Sequence, residues 1–235
     1  MAESAGATTF ESSGSLVLEN MKNLFLTGKY ADMKVTCQGF TFNVHRAILC
    51  SQSTFFDATV NRNFKTVDLP EDDLETIERV LSFLYFNYYD ELNHVMDLHT
   101  QLISLRLRNL ARNMGRIVFE KPGSGLHPPG TIEPYIHIQV YAAANKYGIP
   151  TLKDSAAERL DYWFDKVSQG VTPEILTYAF SILPADDSQL RYILINYITK
   201  YLGTLVEKEG FSGFLEAYPS IAPAVFVRLK REQKL

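Results

Sequence analysis

The sequence is poor in features that mark secreted, membrane and disulfide-stabilised proteins. Only two cysteines, Cys37 and Cys50, occur among 235 residues, which is typical of reduced core thiols rather than of a disulfide framework. Residues 1–15 are small and polar and lack the basic and apolar regions of a secretory signal. No apolar run is long enough to span a bilayer. We therefore expect a cytoplasmic or nuclear protein with no membrane partner.

Positive charge is not in excess either. The chain carries 23 Lys and Arg against 27 Asp and Glu, a formal net charge of −4, whereas nucleic-acid-binding proteins usually present a basic face. One basic stripe does occur, at Arg106, Arg108, Arg112 and Arg116. Without interleaved aromatic residues it favours a solvated helix face, and contact with RNA or a membrane surface is the alternative. We expect no nucleic-acid partner.

No constellation of residues indicates catalysis, a cofactor or a metal. The glycines of residues 123–125 have the wrong spacing for a nucleophile elbow. The carboxylates within residues 68–73 precede a helix, where capping and dipole roles are usual. His94, Asp97 and His99 could in principle ligate a metal, but they do not share one helix face. We expect a protein that is not an enzyme, with no cofactor and no small-molecule substrate.

Hydrophobic periodicity predicts a few short strands followed by many helices. Two β-type runs, residues 33–37 and 40–44, flank a Gln38-Gly39 turn, and a brief strand lies near Val67. Asp72, with Glu75 three residues later, predicts a capping box that opens an amphipathic helix. The inner stripe of that helix is Leu74, Ile77, Val80, Leu81 and Leu84. The fold class is therefore α+β, with a small sheet packed on helices.

The chain divides by composition into three parts. Residues 1–14 predict a mobile tail. Residues 15–170 predict one domain, interrupted by an insertion at about residues 91–131 that ends in a Gly- and Pro-rich loop. Residues 171–235 predict a C-terminal helical extension. We expect the hairpin and the helices on both sides of the insertion to form a single compact unit.

An aromatic cluster follows the amphipathic helix. Tyr85, Phe86, Tyr88 and Tyr89 fall within five positions, so they cannot all point inward from one helix end. One interpretation is that two of them pack in the core. Another is that the exposed ones form a partner surface, since exposed aromatic residues are favoured as interface anchors.

Several segments resemble the BTB/POZ domain family, in family order. An Asp precedes the first strand, and the second strand leads into the pattern H-[RK]-x-x-L-x-x-x-S-x-x-F. Those positions are Asp32, His45, Arg46, Leu49, Ser53 and Phe56. The resemblance continues through residues 67–73, 80–89 and 140–153, and the chain is similar to the short fungal-type members with a single BTB domain. Asn87 stands where the family often has Gly, and Asn tolerates the left-handed conformation.

The resemblance implies a helical cluster flanked by a short three-stranded sheet, and a homodimer formed through the N-terminal helix and first strand. The implied dimer residues are Leu16, Val17, Met21, Leu24, Phe25, Asp32 and Val35. It also implies an adaptor that recruits a cullin-type ubiquitin-ligase scaffold by binding the N-terminal domain of the cullin, or that recruits another partner. The implied partner residues are Phe55, Val60, Tyr85, Tyr88, Tyr89 and Glu91. A self-association scaffold in transcriptional or other regulation, without a ligase role, is the alternative.

Polar residues at the strand-to-helix junction should have a structural role. His45 and Arg46 follow the second strand, and the hairpin returns Asp32 beside them. A partly buried charge needs a partner, so we expect an Asp32–Arg46 or Asp32–His45 contact. Leu49, Phe55 and Phe56 should be core residues.

Overall fold

A three-stranded sheet is built from the hairpin and one later strand. Strands β1 (Met33–Cys37) and β2 (Phe40–Val44) pair antiparallel, with Met33 opposite Val44. Their turn has positive φ at Gln38 (48°) and Gly39 (83°), the combination that a two-residue hairpin turn needs to match the strand twist. Strand β3 (Thr66–Asp68) adds in parallel to β1, so the order is β2-β1-β3. Both hairpin strands have the bounds that the sequence predicts.

Helices account for most of the remaining structure. In this computed structural model the described residues are 7–61, 65–90, 133–166, 172–184 and 186–231. Within those ranges the helices are α1 (Ala7–Thr27), α2 (Arg46–Cys50), α3 (Thr54–Asn61), α4 (Leu74–Phe86), α5 (Glu133–Lys146), α6 (Pro150–Lys166), α7 (Pro173–Ile182), α8 (Gln189–Lys200), α9 (Leu202–Val206), α10 (Phe211–Ala217) and α11 (Ile221–Arg231). Helix α1 extends into the segment that the sequence assigned to a mobile tail. The predicted α+β class, with a small sheet and C-terminal helices, is confirmed.

The chain divides into two compact units. The first contains residues Met1–Glu120 and Ala143–Leu152, and the second contains Lys121–Ala142 and Lys153–Leu235. The segment 143–152 therefore joins the hairpin in the first unit, while residues 153–166 group with the C-terminal helices. The insertion lies outside the described residues.

Helix α4 is the centre of the first unit. Its five predicted stripe residues are all buried, but so are the polar side chains of Glu78, Arg79 and Ser82, each less than 5% exposed. Other parts of the first unit therefore cover both the apolar and the polar side of the helix. Its N-cap is Asp73, whose carboxylate accepts from the backbone N–H of Thr76 at 2.8 Å. This corrects the capping box predicted at Asp72.

Asp72 instead belongs to a contact with the segment 143–152. Lys146 Nζ lies 2.8 Å from its carboxylate, and its backbone carbonyl accepts from Cys37 Sγ at 3.2 Å. Burial, together with the nearby carboxylates, raises the pKa of the Cys37 thiol to about 12. Cys37 therefore stays a protonated core thiol at physiological pH.

The second unit is organised around a buried carboxylate. Asp187, 8% exposed, accepts from the Tyr141 hydroxyl at 2.8 Å and pairs with Lys153 Nζ at 2.7 Å. It also accepts from the backbone N–H of Leu190 at 3.0 Å in the first turn of α8. Burial alone would raise the pKa of Asp187, but the hydrogen bonds from Lys153 and Tyr141 outweigh it and hold the pKa below its ordinary value.

Candidate interaction surfaces

The junction between β2 and α2 is held by Asp32. Its Oδ1 accepts from the backbone N–H of Arg46 at 2.8 Å, so the carboxylate satisfies one of the unpaired donors at the start of a helix. The expected Asp32–Arg46 contact thus uses the backbone of Arg46 rather than its guanidinium. Both side chains are exposed, and so no buried charge at this position needs compensation.

His45 contacts Tyr85 and Lys29 rather than Asp32. Its Nε2 lies 2.8 Å from the Lys29 carbonyl oxygen, which can only accept, so this contact requires the tautomer that is protonated at Nε2. The Tyr85 hydroxyl accepts from the His45 backbone N–H at 3.0 Å and donates to Nδ1 at 2.7 Å. Burial raises the pKa of Tyr85 to about 12, against the opposing effect of the His45 backbone N–H. The phenol therefore remains protonated and able to donate.

The aromatic residues at the end of α4 separate into buried and exposed members. Tyr85 and Tyr89 are 6% and 1% exposed, Phe86 is half-buried and Tyr88 is 50% exposed. Asn87 ends the helix in the left-handed conformation, with φ 55°, as the sequence predicted. That reversal sends Tyr88 outward and Tyr89 into the core.

Arg79 fixes the segment that carries Tyr88. Its Nε donates to the backbone carbonyl of Asp90 at 3.0 Å, and its guanidinium lies 3.8 Å from Glu75. Burial lowers the pKa of Arg79, and the neighbouring acids oppose that effect. Sequence reasoning did not find this residue, because an arginine in a helical pattern usually lies on a solvated face.

The other predicted partner residues are mostly inside the first unit. Val60 is 5% exposed, and Phe55 is half-buried with its ring 5.0 Å from that of Tyr147 and 5.3 Å from that of Phe56. Glu91 lies outside the described residues. The accessible part of the predicted partner set is therefore Tyr88 and the outer side of Phe55.

The C-terminal end of helix α1 packs on the first unit. Phe25, 5% exposed, packs its ring 4.8 Å from that of Tyr85 and 5.7 Å from that of Phe86. Met21 and Leu24 are half-buried. Val35, also predicted for the dimer interface, is fully buried in β1.

The described side chains in the middle of α1, at residues 16–20, are all exposed. Leu16 is 64% exposed, Val17 57% and Leu18 52%. Leu18 was not among the predicted interface residues. Three consecutive apolar residues cannot share one face of a helix, and that pattern could have predicted that an apolar residue is exposed here.

The described residues contain no cluster of three or more His, Cys, Asp or Glu side chains that could hold a metal ion. His94, Asp97 and His99 lie outside them. No helix in the described ranges combines the length and the apolar character needed to cross a membrane.

A family model described as the BTB/POZ domain matches residues 21–118. The BTB domain of zebrafish PATZ1 is similar in structure, with 14% identity, a TM-score of 0.40 and coverage of 65% of this chain and 93% of that one. The BTB domain of human Gigaxonin has 15% identity and a TM-score of 0.36, with coverage of 68% and 97%. Residues 21–118 are therefore similar to the BTB/POZ domain, a protein–protein interaction module.

Proposed function

We propose that the chain is a homodimeric adaptor and that the exposed middle of α1 forms the dimer interface. The observation that carries this proposal is the exposure of Leu16, Val17 and Leu18, each more than half accessible. Large apolar residues that are contiguous and uncovered commonly mark an interaction site. A second copy of the same helix, with the same apolar residues, is a self-complementary partner.

The remaining predicted dimer residues support that interface from within the chain. Phe25 orients α1 through its ring contacts with Tyr85 and Phe86. Val35 stabilises β1 from inside the core. Substituting either one would disturb folding as well as association, so neither is a clean test of the interface.

The test is the solution mass of the full chain, measured by light scattering. The double variant Leu16→Asp/Val17→Asp should convert a dimer to a monomer, because charges would be buried at the interface. The matched control is Val206→Asp, since Val206 is 63% exposed and lies on α9; it should stay dimeric. A wild-type protein that is monomeric at micromolar concentration contradicts the homodimer.

We propose further that the adaptor recruits a cullin N-terminal domain through Tyr88 and the outer side of Phe55. Exposed tyrosine is a preferred interface anchor because it offers apolar area and a polar tip. Arg79 holds the backbone of this segment by its bond to the Asp90 carbonyl, which lowers the entropy lost on binding.

A pull-down with purified cullin N-terminal domain tests this contact. Tyr88→Ala should weaken binding at least about fivefold, as expected for an interface anchor, while Tyr30→Ala, which removes a side chain that is 76% exposed, should not. If the wild-type chain shows no binding at micromolar concentration, the adaptor role in a ligase is wrong.

One observation favours the alternative of a self-association scaffold without a ligase role. Val60, Tyr85 and Tyr89 are buried, which leaves little of the predicted partner set accessible in the described residues. A stable dimer that does not bind the cullin domain would support the scaffold.

A further inference from the structure

A second exposed surface lies on helices α8 and α11 of the second unit. Helix α11 packs on α8 and buries Ile221 (0% exposed) and Val225 (4%). These two residues are one turn apart, so they define the inner face of the helix. The outer face is the surface of interest.

The outer face of α11 combines apolar and basic side chains. Phe226 is 59% exposed and Val227 is 50% exposed. Lys230 and Arg231 are also exposed, and each follows an exposed apolar residue by four positions. Residues with that spacing are neighbours on a helix surface. We call Phe226, Val227, Lys230 and Arg231 the basic–apolar patch.

The charged residues on these two helices are all basic. Neither α8 nor α11 contains an Asp or Glu, although the chain as a whole has a net charge of −4. Lys200 on α8 is compensated by Asp165 at 2.8 Å. Arg191 donates to the Ser220 hydroxyl. The positive potential at the patch therefore comes mainly from Arg228, Lys230 and Arg231 near the end of α11.

Tyr192 on α8 contacts one of these basic residues. Its side chain is 57% exposed, and the Arg228 guanidinium lies 4.9 Å from its ring centroid. Hydrogen bonds from Arg228 and then Asn196 lower the pKa of Tyr192, and the opposing effect of Asp161 does not reverse the shift. An anion is thus favoured beside this helix pair.

We propose that the basic–apolar patch binds an acidic peptide segment that carries an aromatic or large aliphatic side chain. Carboxylates of the peptide would meet Lys230 and Arg231, and its apolar side chain would cover Phe226 and Val227. The basic residues favour a partner of negative charge. Phe226 and Val227 add an apolar contact to the ionic one. This inference does not depend on the proposed dimer or cullin contact.

A peptide fits this surface better than a lipid bilayer or a nucleic acid does. A helix that lies in a membrane interface presents a broad apolar face, and the patch offers only two aliphatic or phenyl side chains. A nucleic acid needs several open aromatic faces for base stacking, and the patch offers one, that of Phe226, because Arg228 lies over the Tyr192 ring.

The probe is a fluorescein-labelled synthetic peptide of about 15 residues that alternates Glu with Leu and contains one Phe, a length suited to one helix face. Binding to the full chain is measured by fluorescence polarisation. Phe226→Ser and the double variant Lys230→Glu/Arg231→Glu should each weaken binding at least about fivefold. Binding should also weaken as the salt concentration rises.

Matched controls separate the patch from general surface effects. Val206→Ser removes an equally exposed apolar side chain, and Lys34→Glu/Lys65→Glu reverses two exposed charges of the first unit; neither should weaken binding. The proposal is overturned if the peptide does not bind at high micromolar concentration, or if the patch variants bind as the wild type does. It is overturned equally if vesicles of phosphatidylcholine and phosphatidylserine bind through Phe226 and the peptide does not.

Discussion

The hydroxyl of Tyr85 lies 2.7 Å from His45 Nδ1 and 3.0 Å from the His45 backbone nitrogen. One phenol therefore joins the end of β2 to α4 by donating one hydrogen bond and accepting another. The same imidazole reaches the Lys29 carbonyl with its other nitrogen. The segment after α1, the hairpin and the central helix are connected through these two side chains.

Tyr85→Phe should destabilise the first unit by roughly 1–3 kcal/mol, because the part-buried backbone N–H of His45 and its Nδ1 would both lose their partner. Urea unfolding followed by circular dichroism measures the change. Tyr30→Phe, at a side chain that is 76% exposed, is the control and should change stability by less than about 0.5 kcal/mol. Equal stability of the two variants would show that the Tyr85 hydroxyl bonds are not formed.

Gly148→Ala should be strongly destabilising, by about 1–3 kcal/mol. Gly148 has φ +59°, and a Cβ there would collide with Thr54 Oγ1. Gly203→Ala is the control, because nothing lies within 4 Å of its position and Ala favours the helix by about 0.5–1 kcal/mol. Thermal unfolding should therefore show opposite signs for the two substitutions.

The collision and the backbone strain at Gly148 can be separated. Adding Thr54→Ala to Gly148→Ala removes the Oγ1 atom but leaves the positive φ. The double variant should recover part of the lost stability. No recovery relative to the two single variants would contradict the close approach of Thr54.

Asn87→Val should destabilise the end of α4, because a β-branched residue is strained at φ 55°. Asn87→Gly should be neutral or slightly stabilising, since glycine adopts this conformation without strain. The free energy of urea unfolding measures both variants. A similar loss of stability for both would mean that the Asn87 side chain, rather than its backbone conformation, matters.

The stability of the second unit should fall in acid because of Asp187. Its folded-state pKa lies below the unfolded value of about 3.9. The stabilisation is therefore complete above the unfolded pKa and is lost as the pH falls through the folded pKa. Asp187→Asn should flatten this part of the pH profile.

Trp163 gives the readout, because it is the single tryptophan of the chain and is buried in the second unit. Its fluorescence follows urea unfolding between neutral pH and about pH 2, below the ordinary range of carboxyl pKa values. The control is Asp186→Asn, at an exposed neighbouring carboxylate, which should leave the slope unchanged. If the free energy of unfolding of Asp187→Asn depends on pH as that of the wild type does, Asp187 is not the cause of the acid destabilisation.

The sequence was sufficient where structure depends on near neighbours. The hairpin bounds, its turn at Gln38 and Gly39, and the left-handed Asn87 follow from local chemistry, and the structure has all three. The N-cap of α4 was misplaced by one residue because adjacent aspartates, Asp72 and Asp73, both satisfy a capping pattern. Only the packed helix shows which carboxylate faces the Thr76 N–H.

Accessibility was harder to predict, because it depends on residues distant in sequence. Tyr85, Tyr88 and Tyr89 look alike in the chain, yet Tyr85 is buried beneath Phe25 of α1 and only Tyr88 is largely exposed. The burial of Glu78 and Arg79 within α4 likewise depends on residues distant in sequence. Periodicity identifies one buried face, whereas packing from all sides is a tertiary property.

The membership of segment 143–152 in the first unit has a consequence for synthesis on the ribosome. Ser53 Oγ donates to the backbone carbonyl of Tyr147 at 2.6 Å, across 94 positions, and the Phe56 ring stacks on that of Tyr147. The emerging polypeptide therefore cannot complete this core until residue 152 has left the exit tunnel. A fragment that stops at residue 118, where the family match ends, would leave Phe55 and Phe56 without their aromatic cover and should aggregate.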